Sequence, residues 1–111
     1  MRKPGSLGEF EQSVLLAIAH LAEQAYGVTI RREIETRTGR VVAIGALYTA
    51  LDRLERKGLA SSTMSDPTPE RGGRSRRYYV LRAAGANALR QSRERLARMW
   101  EGLEPDLRGH R

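Results

Sequence analysis

The sequence predicts a mainly α-helical fold with one small β-hairpin, and three observations support this prediction. Apolar residues recur at helical spacing in four separate segments of the 111-residue chain. Two short stretches, 59–64 and 76–81, flank a loop whose prolines and glycines favour a turn. The last helical segment, expected from about Ala83 to Leu103, alternates its apolar residues by three and four, which is typical of a helix that pairs with another helix.

The first two helices are separated by a break at Tyr26-Gly27. We expect the first helix to begin near Leu7 and Gly8, because residues 1–6 resemble a frayed leader. Its apolar residues at helical spacing are Phe10, Val14, Leu15, Ile18 and Leu21. The second helix carries three apolar residues, Val28, Ile30 and Ile34, with charged residues exposed between them. It is expected to end at Thr38-Gly39, because glycine commonly terminates a helix.

The third helix is short and amphipathic, covers residues 44–57 and ends at Gly58. A helical wheel places four apolar residues on one stripe, Ile44, Leu47, Leu51 and Leu54. Six residues are left facing outward, Gly45, Tyr48, Thr49, Asp52, Arg53 and Arg56. A helix sized for a major groove, followed directly by an arginine-rich hairpin, is typical of a winged helix-turn-helix that holds DNA.

The hairpin carries four arginines at its tip and on its return strand, Arg71, Arg74, Arg76 and Arg77. An exposed hairpin needs fewer charges than this to prevent aggregation, so we expect contacts with phosphates or with the minor groove. Tyr79 and Leu81 alternate as strand residues do and are expected to pack in the core. On the second helix, Arg31 and Arg32 are secondary candidates for phosphate contact.

Composition agrees with a polyanion as partner, since the formal charge is +7 and the sequence pI is about 10.7. Nucleic acid and an anionic membrane are the two candidates. The longest apolar run, 14–19, is too short to span a bilayer or to form a signal-peptide core. The chain has no cysteine, which excludes disulfides and zinc fingers. We therefore expect a soluble, cytoplasmic protein without membrane association.

An enzyme is not expected. Only His20 and His110 are available as neutral-pH bases, and no carboxylates have the spacing of a metal site or an acid–base pair. Ser61-Ser62 has no base beside it in the sequence, and Gly72-Gly73 belongs to a hairpin turn instead of a phosphate-binding loop. The sequence predicts no catalytic residue, no metal and no cofactor.

Several segments from Leu7 to Leu89 resemble PadR-type transcriptional regulators, and their order and spacing are specific. The matching segments are Leu7–Gln12, Tyr26-Gly27-Val28 with Ile30, Gly45–Leu54 leading into Gly58-Leu59, Arg71–Arg74 with Arg77-Tyr78-Tyr79, and Ala84-Gly85. The single helix after the hairpin resembles the short branch of that family, whose members dimerise through it. Two departures are Ala43 and Arg82, where family members often have Ser and Thr caps.

The resemblance implies a winged helix-turn-helix in residues 1–81 and a C-terminal dimerisation helix with a tail in residues 82–111. The residues expected to bind DNA are Gly45, Tyr48, Thr49, Arg53, Arg31, Arg71, Arg74, Arg76 and Arg77. The residues expected at a dimer interface are Phe10, Val14, Leu89, Leu96, Met99, Trp100 and Leu103. Trp100 is also the candidate for stacking with a small aromatic effector, although sealing the interface is its simpler role.

The function expected from these residues is that of a sequence-specific regulator, a repressor, which binds double-stranded DNA as a homodimer on an inverted repeat. Two alternatives stay open. One is an architectural protein that binds DNA without sequence preference, which the charge fits equally well. The other is a winged-helix module for protein or RNA interaction, because a fold does not dictate its function.

Overall fold

The computed structural model describes residues 7–65 and 75–103, which form four α-helices and one antiparallel hairpin. The elements in chain order are α1 (Glu9–Leu21), a short 3₁₀ helix (Ala22–Gln24), α2 (Gly27–Thr38), α3 (Ile44–Arg56), β1 (Ala60–Met64), β2 (Arg77–Leu81) and α4 (Ala83–Trp100). The predicted mainly helical fold with a small hairpin is confirmed. Arg71, Arg74 and His110 lie outside the described residues.

Two helices end at glycines, as the sequence predicted. Gly39 and Gly58 have φ angles of 73° and 74°, a left-handed conformation in which a side chain would be strained. The helix start expected near Leu7 and Gly8 is also confirmed, since Gly8 is the N-cap of α1. The fourth helix ends at Trp100 and not at the expected Leu103, which lies in the turn that follows.

The core lies where α1, α2 and α3 pack together, with the hairpin against one side. Its largest fully buried side chains are Leu15, Ile18, Ile30, Leu47, Leu51, Leu54 and Val14. Val14 was expected at a dimer interface, but it has no exposed surface in the protomer. The reason is its position on the face of α1 that carries Leu15 and Ile18, so Val14 belongs to the protomer core.

Two apolar residues expected in helical stripes are exposed instead. Ile44 is 46% exposed, because the buried face of α3 is centred on Leu47, Leu51 and Leu54 and the first helical residue lies at its edge. Val28 is 53% exposed. It precedes Ile30 by two positions, and two positions in an α-helix turn a side chain through about 200°.

The hairpin pairs β1 with β2 in the register that joins Ala60 to Leu81 and Met64 to Arg77. Tyr79 is buried and Leu81 is partly buried against the core, as their alternation predicted. Strand β2 also contacts α1 and the 3₁₀ helix. Strand β1 contacts α3, so both strands fix the hairpin to the helical core.

Helix α4 begins tightly packed and ends exposed. A Cβ built on Gly85 would lie 2.2 Å from the carbonyl oxygen of Leu59, so the helix approaches the backbone before β1 more closely than a side chain allows. Leu89 is half-buried against the core, whereas every residue from 93 to 103 is exposed. In the described parts of the chain, no helix combines the length and the apolarity that crossing a membrane requires.

Candidate nucleic-acid interface

The outer face of α3 is open and carries small or polar side chains. Gly45, Thr49 and Tyr48 are all exposed, opposite the buried Leu47 and Leu51. A Cβ built on Gly45 would have no atom within 4 Å, so the backbone there is accessible to a large partner. The first turn of α3 begins at Ala43 without a side-chain cap, as the sequence predicted. Its backbone N–H groups are thus not occupied by a capping side chain.

Tyr48 is held in place by Gly27, the first residue of α2. A Cβ on Gly27 would lie 2.2 Å from the Tyr48 hydroxyl oxygen, so the phenol crosses the start of α2 where any other residue would obstruct it. The ring is nevertheless 49% exposed. One side of Tyr48 is therefore packed and the other faces solvent. Gly27 was interpreted from the sequence as a break between helices, and this second role was missed.

The outer edge of α2 adds Arg31 and Arg32 to the same side of the molecule. They line a shallow depression of about 230 Å³ together with Val28, Glu35 and Ile44. Arg31 pairs with Glu35, with 3.5 Å between Nε and Oε2, and the Val42 amide donates to the same carboxylate oxygen at 2.8 Å. Glu35 thereby holds both Arg31 and the turn between α2 and α3. The exposed Val28 and Ile44 place two apolar groups beside these arginines.

The other edge of α3 is tied to α1 through the buried carboxylate of Glu11. Its Oε1 accepts hydrogen bonds from the Gly8 amide at 2.9 Å and from Lys57 Nζ at 2.9 Å. Arg53 Nη1 lies 4.0 Å from Oε2, and the Arg53 side chain remains 55% exposed. Burial raises the pKa of Glu11, but the Gly8 amide, Lys57 and Arg53 together lower it below its ordinary value. Glu11 is therefore an ionised link between α1 and α3.

The role of Glu11 could hardly be predicted from the sequence. Lys57 lies 46 positions further along the chain, and no helical or strand periodicity relates the two residues. The only local signal was the spacing of three residues between Gly8 and Glu11, which is typical of a capping box.

The two described arginines of the hairpin lie on opposite faces of it. Arg77 Nη1 donates to the Ser62 hydroxyl at 2.9 Å, and Ser62 donates to Glu55 of α3 at 2.7 Å. Arg76 instead places its guanidinium carbon 4.4 Å from the centre of the Tyr26 ring. The same role was predicted from the sequence for all the hairpin arginines. In the structure, Arg76 and Arg77 have different neighbours. The hairpin β1–β2 is called the wing below.

The described residues contain no group of three His, Asp or Glu side chains placed to hold a metal ion. His20 lies on the exposed surface of α1, where its Nδ1 is 3.3 Å from Arg37. Ser62 is engaged by Glu55 and Arg77. The chemistry available on the surface of α2, α3 and the wing is therefore that of positive charge and polar contact.

Comparison with solved structures gives relatives that match nearly the whole chain. A PadR family regulator from Clostridium difficile is 24% identical, with a TM-score of 0.75 over 90% of this chain and 99% of that chain. A PadR-like regulator from Bacillus cereus is 21% identical, with a TM-score of 0.71 over 91% and 93%. A complex structure of hsRosR-SG is 28% identical, with a TM-score of 0.70 over 90% and 82%. The first two relatives support the fold alone.

Comparison with curated proteins finds no match. The sequence profile of the transcriptional regulator PadR-like family matches residues 15–91, which is more than half of the chain. This match covers α2, α3, the wing and the first half of α4. PadR family members are transcriptional regulators and not enzymes. The chain belongs to the PadR-like family of transcriptional regulators.

Proposed function

We propose that the protein is a cytoplasmic, sequence-specific DNA-binding repressor that acts as a homodimer on an inverted repeat. One observation carries this proposal, namely that α3, whose outer face is open, has Arg31 and Arg32 of α2 beside its first residue, Ile44. Near its other end, Glu55 is linked through Ser62 to Arg77 of the wing. That surface combines a helix able to enter a major groove with positive charge on either side. A dimer seated near a promoter would block polymerase sterically.

Helix α3 would read the bases while the neighbouring arginines hold the DNA backbone. Thr49 and Tyr48 are the candidates for base contacts, and Gly45 permits close approach of the helix to the groove. Arg76 and Arg77 of the wing, Arg31 of α2 and the exposed end of Arg53 are candidates for phosphate contact. Arg71 and Arg74 keep the same proposed role from the sequence alone. A formal charge of +7 adds long-range attraction to DNA.

The proposal of a homodimer is supported by the exposed apolar side chains at the end of α4. Leu96 is 59% exposed, Met99 74%, Trp100 42% and Leu103 45%. Met99 and Trp100 lie three and four positions after Leu96, so these three residues share one side of the helix, and Leu103 lies in the turn after it. Pairing with a second copy would bury them, together with the half-buried Leu89 and Phe10. A two-fold dimer also matches an inverted-repeat operator.

A small aromatic effector is a finer part of the same proposal. Trp100 is the only tryptophan of the chain and is 42% exposed. Two copies near a two-fold axis would present two indoles to a flat compound, and binding there would change the angle between the two α3 helices. Planar aromatic compounds should then quench tryptophan fluorescence and release DNA. Quenching without release of DNA would indicate a ligand pocket that does not control DNA binding. Absence of quenching would indicate that Trp100 has a structural role only.

Selection of duplexes from a random-sequence library tests the proposed function. The protein should enrich an inverted repeat and bind it with a Kd of about 10⁻⁸ M in physiological salt, at least about 10³-fold more tightly than a random duplex. Affinity should fall steeply with salt, because each neutralised phosphate releases counterions. Equal affinity for all duplexes would favour the architectural alternative. Binding to no duplex would favour the protein- or RNA-interaction alternative.

A further inference from the structure

Val28 and Ile44 are exposed apolar residues that lie together at the starts of two helices. Val28 is the second residue of α2 and Ile44 is the first residue of α3, and both line the same shallow depression of about 230 Å³. Their side chains are 53% and 46% exposed. Neither belongs to the cluster of buried side chains that forms the protomer core. These two residues are called the apolar patch below.

The charges around the apolar patch favour a polyanion as its partner. Arg31 and Arg32 of α2 line the same depression, and Arg32 is exposed. Of the described residues that line it, one is a carboxylate, Glu35, which accepts from the Val42 amide and pairs with Arg31. The depression therefore has two cationic groups against one anionic group. DNA suits this arrangement, because its phosphates lie beside the groove in which the base edges are exposed.

The apolar patch adjoins the outer face of α3. Ile44 is followed directly by Gly45, and Gly27, which precedes Val28, packs against the phenol of Tyr48. A helix that places Gly45 and Tyr48 in a major groove therefore brings Ile44 to that groove, with Val28 beside it. Both residues of the patch are β-branched, so their side-chain rotamers are restricted before any DNA binds.

We propose that Val28 and Ile44 recognise the 5-methyl group of a thymine in each half-site of the operator. This role rests on the proposed function and adds two specificity-determining residues to it. Among the base edges of the major groove, the thymine methyl is the apolar group, and the other groups are hydrogen-bond donors or acceptors. Contact with that methyl removes apolar surface from water on both partners, and a base without the methyl loses this gain. Arg31 and Arg32 supply positive charge for the phosphates beside that thymine.

Replacement of thymine by uracil removes this methyl group and keeps every hydrogen-bonding group of the base. Each thymine of the operator selected by the parent protein is replaced in turn, at the equivalent position of both half-sites. Fluorescence anisotropy gives the Kd for the parent, for Val28→Ala combined with Ile44→Ala, and for Leu16→Ala. Leu16 is a matched apolar control, because it is 47% exposed on α1 and does not line the depression.

Uracil at one thymine position should weaken binding of the parent by about two- to fourfold for each half-site, which corresponds to the burial of one methyl group. In the combined variant, uracil at that position should cause no loss of affinity. Leu16→Ala should show the same uracil-dependent loss as the parent, because it leaves the apolar patch intact.

Three results would overturn the assignment of a thymine to the apolar patch. They are equal uracil-dependent losses in the parent and in the combined variant, absence of any uracil-sensitive position, and a selected operator without thymine. Thermal unfolding of the combined variant should match that of the parent, since both side chains are exposed. If that variant is not folded, Val28→Ala and Ile44→Ala are measured singly, and each should reduce the uracil-dependent loss. A parent that binds every duplex equally would instead remove the proposed function, and the thymine contact with it.

Discussion

The helix-turn-helix is packed by contacts within one protomer, whereas the second half of α4 is exposed. In the first region, Gly27 and Tyr48 pack against each other, Glu11 joins α1 to Lys57, and Glu35 holds the turn before α3. In the second region, every residue from 93 to 103 is exposed, including the largest apolar side chains of the helix. The proposed DNA-reading surface is thus built within one protomer. The proposed dimer surface requires a second copy.

This difference separates two kinds of substitution. Changes in the helix-turn-helix should alter the stability of the protomer or its contacts with DNA. Changes at the end of α4 should leave the protomer folded and alter its assembly.

Substitution at Leu96 should give the largest loss of DNA binding. Leu96→Asp places a charge in the exposed apolar row of α4, so the protein should sediment as a monomer at micromolar concentration. Operator affinity should fall about 100-fold or more, because the two half-sites are no longer bound together. Gln91→Asp makes the same charge change on the same helix outside that row and should remain a dimer. A Leu96→Asp dimer with parental affinity would show that this row is not the interface.

Substitution at Gly85 should destabilise the protomer, since α4 meets the backbone at this position. A Cβ there would lie 2.2 Å from the Leu59 carbonyl oxygen, which belongs to the main chain and cannot move aside cheaply. Gly85→Ala should lower the free energy of unfolding by about 2 kcal/mol. Urea denaturation measures this change. An unchanged free energy of unfolding would mean that α4 does not pack as closely as the structure indicates.

Substitution at Glu11 should lower stability in a pH-dependent manner. Glu11→Gln leaves Lys57 without its carboxylate and should cost about 2 kcal/mol at neutral pH. Because the folded-state pKa of Glu11 is lowered, its stabilising contribution is present above the unfolded-state pKa and is lost as pH falls through the folded-state pKa. The difference in unfolding free energy between parent and variant should therefore shrink in acid. A difference that is constant with pH would contradict the ionised link.

Substitution at Gly45 should have two small effects of opposite sign, raising the stability of the protomer and lowering its affinity for DNA. Within the described structure a Cβ at this position meets nothing within 4 Å, so Gly45→Ala should stabilise α3 by up to about 1 kcal/mol. Operator affinity should nevertheless fall several-fold, because the added methyl group stands between the helix and the groove. Raised thermal stability combined with raised operator affinity would place the DNA elsewhere on the protein.

Periodicity and turn residues were sufficient to predict the elements. Four helical segments, the glycines at 39 and 58 and the hairpin are local features, and local sequence specifies them. Ile44 was misplaced because a helical wheel does not show where a buried face ends, which depends on how neighbouring helices cover α3. Val28 was misplaced although its spacing of two residues from Ile30 puts it on the opposite side of α2.

The contacts that shape the candidate interface could not be predicted from periodicity. Tyr48 meets Gly27 and Arg76 meets Tyr26 across gaps of 21 and 50 residues along the chain, so only the folded structure brings them together. Neighbouring residues such as Arg76 and Arg77 look equivalent in the sequence, yet alternation along the strand gives them different faces. Residue type therefore indicated the chemistry of the candidate interface, and tertiary packing determined which side chains lie together on it.

Helix α3 is proposed to specify the DNA sequence while the wing holds the backbone, and one ratio of dissociation constants distinguishes these two roles. The measurement is the Kd on a random duplex divided by the Kd on the selected operator, for the parent, for Thr49→Ala and for Arg76→Ala combined with Arg77→Ala. Thr49→Ala should lower this ratio with little change in random-duplex affinity. The arginine pair should weaken both affinities, flatten the salt dependence and leave the ratio near that of the parent. The opposite pattern, with discrimination lost in the wing variant and retained in Thr49→Ala, would contradict the claim.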